Sequence, residues 1–510
     1  MVALIVALGG FLMGFDASVI SGVNKFIELE FELTKLQLGW AVGSLTLMAT
    51  IAMMVAGPLS DRIGRKRILT IAAALYAISA LGSALAPSFF TLVVARMVGG
   101  IGVGISLIIA PMYIAEISPP DLRGRMVSFN QLNIVLGISV AFFTNYLILQ
   151  LGDSEAAWAR NLKFDEYNWR WMLGLEALPA ILYFFALFLV PRSPRWLAMK
   201  GKYDEAQKIM CRALEESEAK KIIEDVRASF NKSEKKDSSI KDLLHPSLRL
   251  VLLIGLVIGV LQQITGINSV FFYAPMIFEQ SGIGTDASFS QAILVGLVNL
   301  VFTILAISMI DKLGRKPLLL IGVSGMAICL LLLSYGFSEA TYELKAETVA
   351  NLPEEIDADA LSPYLNQLFE DDISYKQAMS EALGSDTFKQ YESQLITAAV
   401  SMNAVLILIG ILGFVASFAV SIGPVMWVLF SELFPNRIRG IAISFVGLVN
   451  SAVSFLTQVV FPWELEVLGS ATTFFIYGAF AAAGVIFIAL KVPETKGRTL
   501  EELELELVGT

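Results

Sequence analysis

An acid, a guanidinium and several carboxamides lie inside long apolar runs of this chain, where a polar side chain is costly. Asp16 lies in the run 2–24, Arg96 in 89–114 and Glu176 in 170–190. An ionisable group in hydrocarbon marks an ion or substrate path before it marks anything else. On helices rising about 1.5 Å per residue the three fall at depths that agree within one turn. An Asp16–Arg96 pair of this kind is a proton switch. Beside the guanidinium the carboxylate keeps its charge; separated from it, desolvation favours the protonated acid. The alternative is a static pair that locks two helices together.

The carboxamides suggest a second chemistry. Gln262, Gln263 and Asn268 share one run, Gln131 lies in another and Asn299 in a third. A primary amide both donates and accepts, which suits a neutral, hydroxyl-rich ligand. Gln263 and Asn268 lie about 140° apart on an ideal helix. They converge on one ligand only if the helix breaks, and Gly266 permits that break. The alternative is amides bonding neighbouring helices. Gly423-Pro424 interrupts a later run and predicts a bend, because proline removes a helical donor. Trp427 follows one turn on and offers a flat apolar face with one N–H; the alternative is an interfacial anchor or a packing residue.

The elements that must position these groups are membrane helices. Hydrophobic residues make up 56% of the 510 and charged residues 16%, with a mean hydropathy of +0.69. A spanning helix needs about 20 apolar residues. Twelve runs qualify: 2–24, 37–59, 68–87, 89–114, 126–149, 170–190, 248–280, 287–310, 317–337, 397–431, 440–461 and 468–490. The runs 248–280 and 397–431 are too long and too interrupted to be straight.

Two signatures occur twice, in the same order. Asp61-Arg62-Ile63-Gly64-Arg65-Lys66 returns as Asp311-Lys312-Leu313-Gly314-Arg315-Lys316, and Glu116…Arg123-Gly124 returns as Glu432…Arg439-Gly440. The chain is therefore two related halves in parallel orientation, the build of a carrier with a central site. The first signature recurs after 250 residues and the second after 316, so an insertion of 66 lies between them. The stretch 338–396, with thirteen acidic and three basic residues, is the polar segment available. Short amphipathic helices are expected at 362–372 and 374–394. The expected role is a solvated cap, the alternative a partner-docking domain.

Lys and Arg concentrate in the loops after the even-numbered runs, which places both termini in the cytoplasm and 338–396 outside. The expected domains are 1–190, a six-helix bundle; 191–247, a cytoplasmic linker with amphipathic helices at 203–217 and 218–230; 248–491, a second bundle carrying the insertion; and 492–510, a cytoplasmic tail. The net charge of −9 resides in the insertion, so nucleic-acid binding is not suggested. Cys211 and Cys329 imply no disulfide framework, and His245 is the single histidine, so no histidine metal site and no cofactor are expected. The apolar opening run is not read as a cleaved signal peptide, since Asp16 and several glycines interrupt it.

Asp61, Arg65, Glu116, Arg123, Asp311, Arg315, Glu432 and Arg439 fall at helix ends on the basic face. Salt bridges among them form a conformational latch; the alternative is simple topology determination by Lys and Arg.

Nine segments together resemble the sugar porter family of the major facilitator superfamily: GFDASVISG (14–22), DRIGRKR (61–67), RMVGGIGVG (96–104), PMYIAEISPPDLRGR (111–125), PRSPRWL (191–197), QQITGIN (262–268), DKLGRK (311–316), GPVMWVLFSELFPNRIRG (423–440) and PETKGRTLEELE (493–504). The pattern is closest to the bacterial sugar–proton symporters. The resemblance implies an all-α membrane protein with twelve transmembrane helices in two six-helix bundles. It implies proton coupling at Asp16, because proton-coupled members carry Asp there and facilitative animal carriers carry Asn. Glu176 also matches a family position. Gln131, Gln262, Gln263, Asn268 and Asn299 fall on sugar-contact positions, and Asn450 on a polar contact position.

Some positions depart from the family. Met13 stands where an aromatic is usual, Phe272 replaces a tyrosine, and Ser451 stands where Trp is frequent. These changes leave pentose, hexose and polyol open. Arg192 stands where the family has Glu before Ser-Pro-Arg, so one latch carboxylate is missing and a weaker outward-facing state follows. No Walker-type GxxxxGK[ST] and no nucleophile–base pair occurs. The expected function is proton-coupled uptake of a monosaccharide by a monomeric, multi-pass plasma-membrane protein whose partners are sugar, proton and bilayer. Facilitated diffusion without coupling and a non-transporting sugar sensor are the alternatives.

Overall fold

The computed structural model describes residues 2–118, 123–211, 243, 245–435, 438–498 and 502–503. Among them, twelve helices or broken helices are long and apolar enough to cross a membrane. They are Val2–Glu30, Lys35–Ile63, Arg65–Ala84, Phe89–Ile117, Phe129–Gly152, Asn168–Leu189, Pro246–Glu279, Thr285–Ile310, Arg315–Ser338, Ala404–Leu433, Arg439–Val467 and Gly469–Lys491. Each corresponds to one run read from the sequence. The tenth begins at 404 rather than 397, because Val400–Ser401 is a strand and Asn403 caps the helix.

Three spans are broken, each at a point the local chemistry explains. The seventh stops at Thr265 and restarts at Ile267, with Gly266 left-handed at φ 83°; glycine takes that conformation without a Cβ clash. The tenth breaks at Ser421, and Pro424 falls in the first turn of its second segment, where a missing N–H costs no helical bond. The sixth is interrupted at Leu175–Glu176, so Glu176 lies at a helix junction. The repeated Asp-x-x-Gly-Arg signature is a tight helix-to-helix turn in both halves. Gly64 and Gly314 take φ 101° and 94° between consecutive spans.

The chain forms two compact units: Met1–Val19 with Ser44–Ala141 and Arg170–Asp242, and Ile20–Gly43 with Phe142–Trp169 and Leu243–Thr510. In the first, the third span packs along the fourth and against the sixth over Ile68, Ala72, Tyr76, Ile109 and Tyr183. Its first and fifth spans approach closely. A Cβ on Gly14 would strike the Ile134 carbonyl, and one on Gly137 the Phe11 carbonyl. Small residues permit such backbone contact in membrane helices. In the second unit the ninth span packs on the tenth and twelfth, and the seventh on the eleventh.

The insertion has a core of its own. A three-stranded antiparallel sheet, β1 (Thr341–Glu343), β2 (Leu368–Phe369) and β3 (Val400–Ser401), runs in the order β2-β1-β3. Helices Asp372–Leu383 and Ser385–Ala399 pack with it, burying Tyr342, Leu344, Leu361, Tyr375, Met379 and Leu395. This corrects the expected pair of helices. Residues 362–372 form a 3-10 turn (Ser362–Tyr364) and β2, because the apolar side chains there complete the sheet's core. The expected 374–394 helix is two, divided at Gly384 with φ 81°. In the linker the described helices are Pro194–Met199 and Tyr203–Met210; residues 212–217 of the expected 203–217 and all of 218–230 lie outside the described residues.

Candidate functional site

In the first unit the first span carries Asp16 and the fourth carries Arg96. Their charged groups approach to 3.6 Å and both side chains are 2% exposed. That separation is a charge pair rather than a formed hydrogen bond. The second carboxylate oxygen of Asp16 is buried without a hydrogen-bond partner, and so is Oε1 of Glu176. Glu176 is itself buried and lies within the field of both Asp16 and Arg96. Two acids and one guanidinium thus share a desolvated region with a formal excess of one carboxylate. Such a cluster holds at most one negative charge cheaply.

Glycine again makes the approach possible. A Cβ on Gly99, one turn from Arg96, would lie 2.8 Å from Asp16 Oδ2 and 2.5 Å from Ser79 Oγ. Gly99 and Ser79 were not singled out in the sequence, although Gly99 sits in the quoted segment 96–104.

In the second unit the amides form one network. Asn268 donates to Gln263 Oε1 at 2.8 Å and to Ser454 Oγ at 2.7 Å. Gln263 donates to Gln262 Oε1 at 3.1 Å and to Asn450 Oδ1 at 3.3 Å. Asn450 donates to Gln262 Oε1 at 2.9 Å and to the Gly259 carbonyl at 2.7 Å. Gln262 donates to the Ile422 carbonyl at 3.3 Å, beside the break in the tenth span. The break at Gly266 is what lets Gln263 and Asn268 face each other.

Ser454 and Gln458 extend the network, since Gln458 donates to Ser454 Oγ at 2.8 Å. The sequence signal was present: Asn450, Ser454 and Gln458 recur every four residues and form one polar stripe on the eleventh span. Asn299 is buried in the eighth span. Trp427 is half-exposed; its ring edge meets Phe430 and lies near Gly447, one turn before Asn450. Gln131 belongs to the first unit and is exposed.

The charges on the basic face pair within each half. Arg65 reaches Asp61 at 2.6 Å and Glu116 at 3.1 Å. Glu116 also accepts from Ser193. In the second half Arg315 reaches Glu432 at 2.8 Å, and Glu432 accepts from Thr495 at 2.6 Å. Arg439 donates to the Phe434 carbonyl at 3.1 Å. The side chains of Arg123 and Asp311 lie outside the described residues.

The two halves differ at one point. Glu494 accepts from the backbone N–H groups of Arg315 and Lys316 at 3.1 and 3.2 Å, capping the ninth span. Arg192, the counterpart of Glu494, cannot accept such bonds at the start of the third span and instead approaches Glu205 at 3.8 Å.

The profile of the sugar (and other) transporter family matches residues 2–351 and 387–507. The chain belongs to the sugar porter family of the major facilitator superfamily. The unmatched stretch falls inside the inserted domain. This sugar porter is 33% identical to the arabinose-proton symporter of Bacillus subtilis over 98% of this chain and 92% of that one. It is 34% identical to the D-xylose-proton symporter of Escherichia coli, over 99% and 94%. The fold matches the partially occluded inward-open structure of the xylose transporter XylE from E. coli with a TM-score of 0.74, at 30% identity and 98% coverage of both chains. This sugar porter is a multi-pass membrane protein, and the members of its family are transporters.

Proposed function

We propose that this chain takes up a monosaccharide, pentose or hexose, together with a proton by alternating access. The observation that carries the reading is the buried Asp16–Arg96 pair, with one carboxylate oxygen left without a partner. Movement of the fourth span away from Asp16 leaves an uncompensated charge in apolar surroundings, and protonation removes it. Return of Arg96 expels the proton. Glu176 is the second acid of the same cluster and competes for the single guanidinium.

The amide network is the proposed sugar site. Every amide donor of Gln263 and Asn268 is already engaged by a neighbouring side chain. Sugar hydroxyls replace these bonds one for one, so ligand entry costs little unpaired polarity. Trp427 supplies an apolar face and Asn299 a further amide; the family resemblance assigns Gln131 to sugar contact as well. On the basic face, Asp61, Arg65, Glu116, Arg123, Asp311, Arg315, Glu432 and Arg439 act as the gate. That face is cytoplasmic by its Lys and Arg content, which puts both termini inside and the inserted domain outside; the proposed location is the plasma membrane and the proposed state a monomer.

Purified protein in liposomes tests the reading: addition of the transported sugar makes the outer medium more alkaline. Sugar uptake with no pH change would leave facilitated diffusion as the activity.

A further inference from the structure

On the insertion-bearing face, the second unit gathers the ends of several spans. Lys25 of the first span donates to Glu279 at 2.9 Å and to Thr285 at 2.6 Å, at the end of the seventh span and the start of the eighth. One turn along the first span, Glu28 pairs with Lys35 of the second at 2.5 Å. Asn24 donates to the Phe272 carbonyl at 2.8 Å, just before the kink at Tyr273. The Lys25 and Asn24 contacts tie the first span to the seventh.

The inserted domain is seated on the same ends. Gln280, next to Glu279, donates to Glu392 of the domain at 3.4 Å, and Val400 of β3 packs on Gly282. Asp372 accepts from the Ser470 backbone N–H at 3.1 Å and so fixes the start of the twelfth span. Within the domain Glu392 pairs with Lys376 at 3.5 Å. Burial disfavours the charge on Glu392. Lys35 and Lys376, with hydrogen bonds from Gln280 and Lys376, nevertheless hold its carboxyl down at about 2. The domain therefore carries a negative charge that binds the end of the seventh span and lies within the field of Lys35 of the first half.

We infer that the inserted domain is a lock on the outer entrance: through Glu392 it holds the end of the seventh span and the Lys25–Glu279 pair in the closed arrangement. Outward opening must separate Lys25 from Glu279, and the domain resists this by anchoring the neighbouring residue and attracting Lys35. The inference rests on the orientation proposed above. Its test reads gate opening rather than transport, so loss of proton coupling and loss of the lock are separate results.

The experiment uses the full chain with Cys211 and Cys329 replaced by serine and a reporter, Val23→Cys, in the first span, where Val23 is buried. A membrane-impermeant maleimide is added from outside to intact cells, and the labelling rate is measured. Lys25→Gln and Glu392→Gln should each speed labelling about fivefold, the loss of roughly one buried polar bond. Lys376→Gln breaks only the pair inside the domain and should leave the rate within about twofold. Glu392→Gln without acceleration, or Lys376→Gln accelerating labelling as much as Glu392→Gln, would overturn the lock. A variant that loses the domain's fold is recognised by protease sensitivity of 340–403. For such a variant, the isosteric Gln280→Glu supplies the same test by repulsion from Glu392 and should also accelerate labelling.

Discussion

Asn268 donates to Gln263 across the break at Gly266, so the two residues closing this bond belong to different segments of the seventh span. Five residues apart on a straight helix, they could not meet. The bond is therefore a report on the break itself. It also makes the proposed sugar site part of the joint between the two segments.

Removing either partner should weaken sugar binding more than fold stability. Gln263→Ala deletes an acceptor for Asn268 and two donors to Gln262 and Asn450. A loss of about 1.5–3 kcal/mol corresponds to roughly 10- to 150-fold in Kd. Titration calorimetry with a panel of pentoses and hexoses measures it, and an unchanged Kd for the transported sugar removes Gln263 from the site. Gly266→Ala should unfold or misassemble the seventh span, because φ 83° strains a side chain and a Cβ would strike the Tyr477 ring.

Arg192→Glu should stabilise the protein. In the second half Glu494 caps the ninth span; in the first half a cation stands at the corresponding place and cannot accept such bonds. A carboxylate near that N-terminus contributes about 1 kcal/mol. A rise of a few degrees in Tm in detergent is expected, and the reciprocal Glu494→Arg should lower it. Equal Tm values for Arg192→Glu and the parent would contradict the comparison of the halves.

The inserted domain should loosen in acid. The Glu392 carboxyl is held at about 2, below its ordinary 4.5. Its contribution is full above pH 4.5 and is lost as pH falls from 4.5 towards 2. After screening the loss is about 2 kcal/mol. Hydrogen-exchange protection over 372–399, corrected for the intrinsic pH dependence of exchange, should fall in that window for the parent, and Glu392→Gln should show the lower protection already at pH 7 with a flatter pH response.

Much of the architecture could be read from residue patterns. Apolar length set the twelve spans, and the repeated Gly64 and Gly314 turns set the relation of the halves. Gly266 and the amide pattern anticipated the broken seventh span. What escaped depended on contacts distant in sequence. Residues 362–372 look amphipathic, yet Leu368 and Phe369 pair with Tyr342 and Glu343 about 26 residues away. Propensity cannot show such a pairing. Ser193 and Thr495 went unnoticed because a hydroxyl after Pro-Arg or Pro-Glu reads as an ordinary helix start. Their bonds to Glu116 and Glu432 appear only when the halves are compared in space. Nothing in the sequence joins Lys25 to Glu279, which lies 254 residues on.

The most direct test of proton coupling is sugar accumulation against its gradient by Asp16→Asn in proteoliposomes with an imposed proton gradient. This variant should exchange labelled for unlabelled sugar but not concentrate it. An Asp16→Asn protein that still accumulates sugar on the proton gradient would show that Asp16 is not the coupling group.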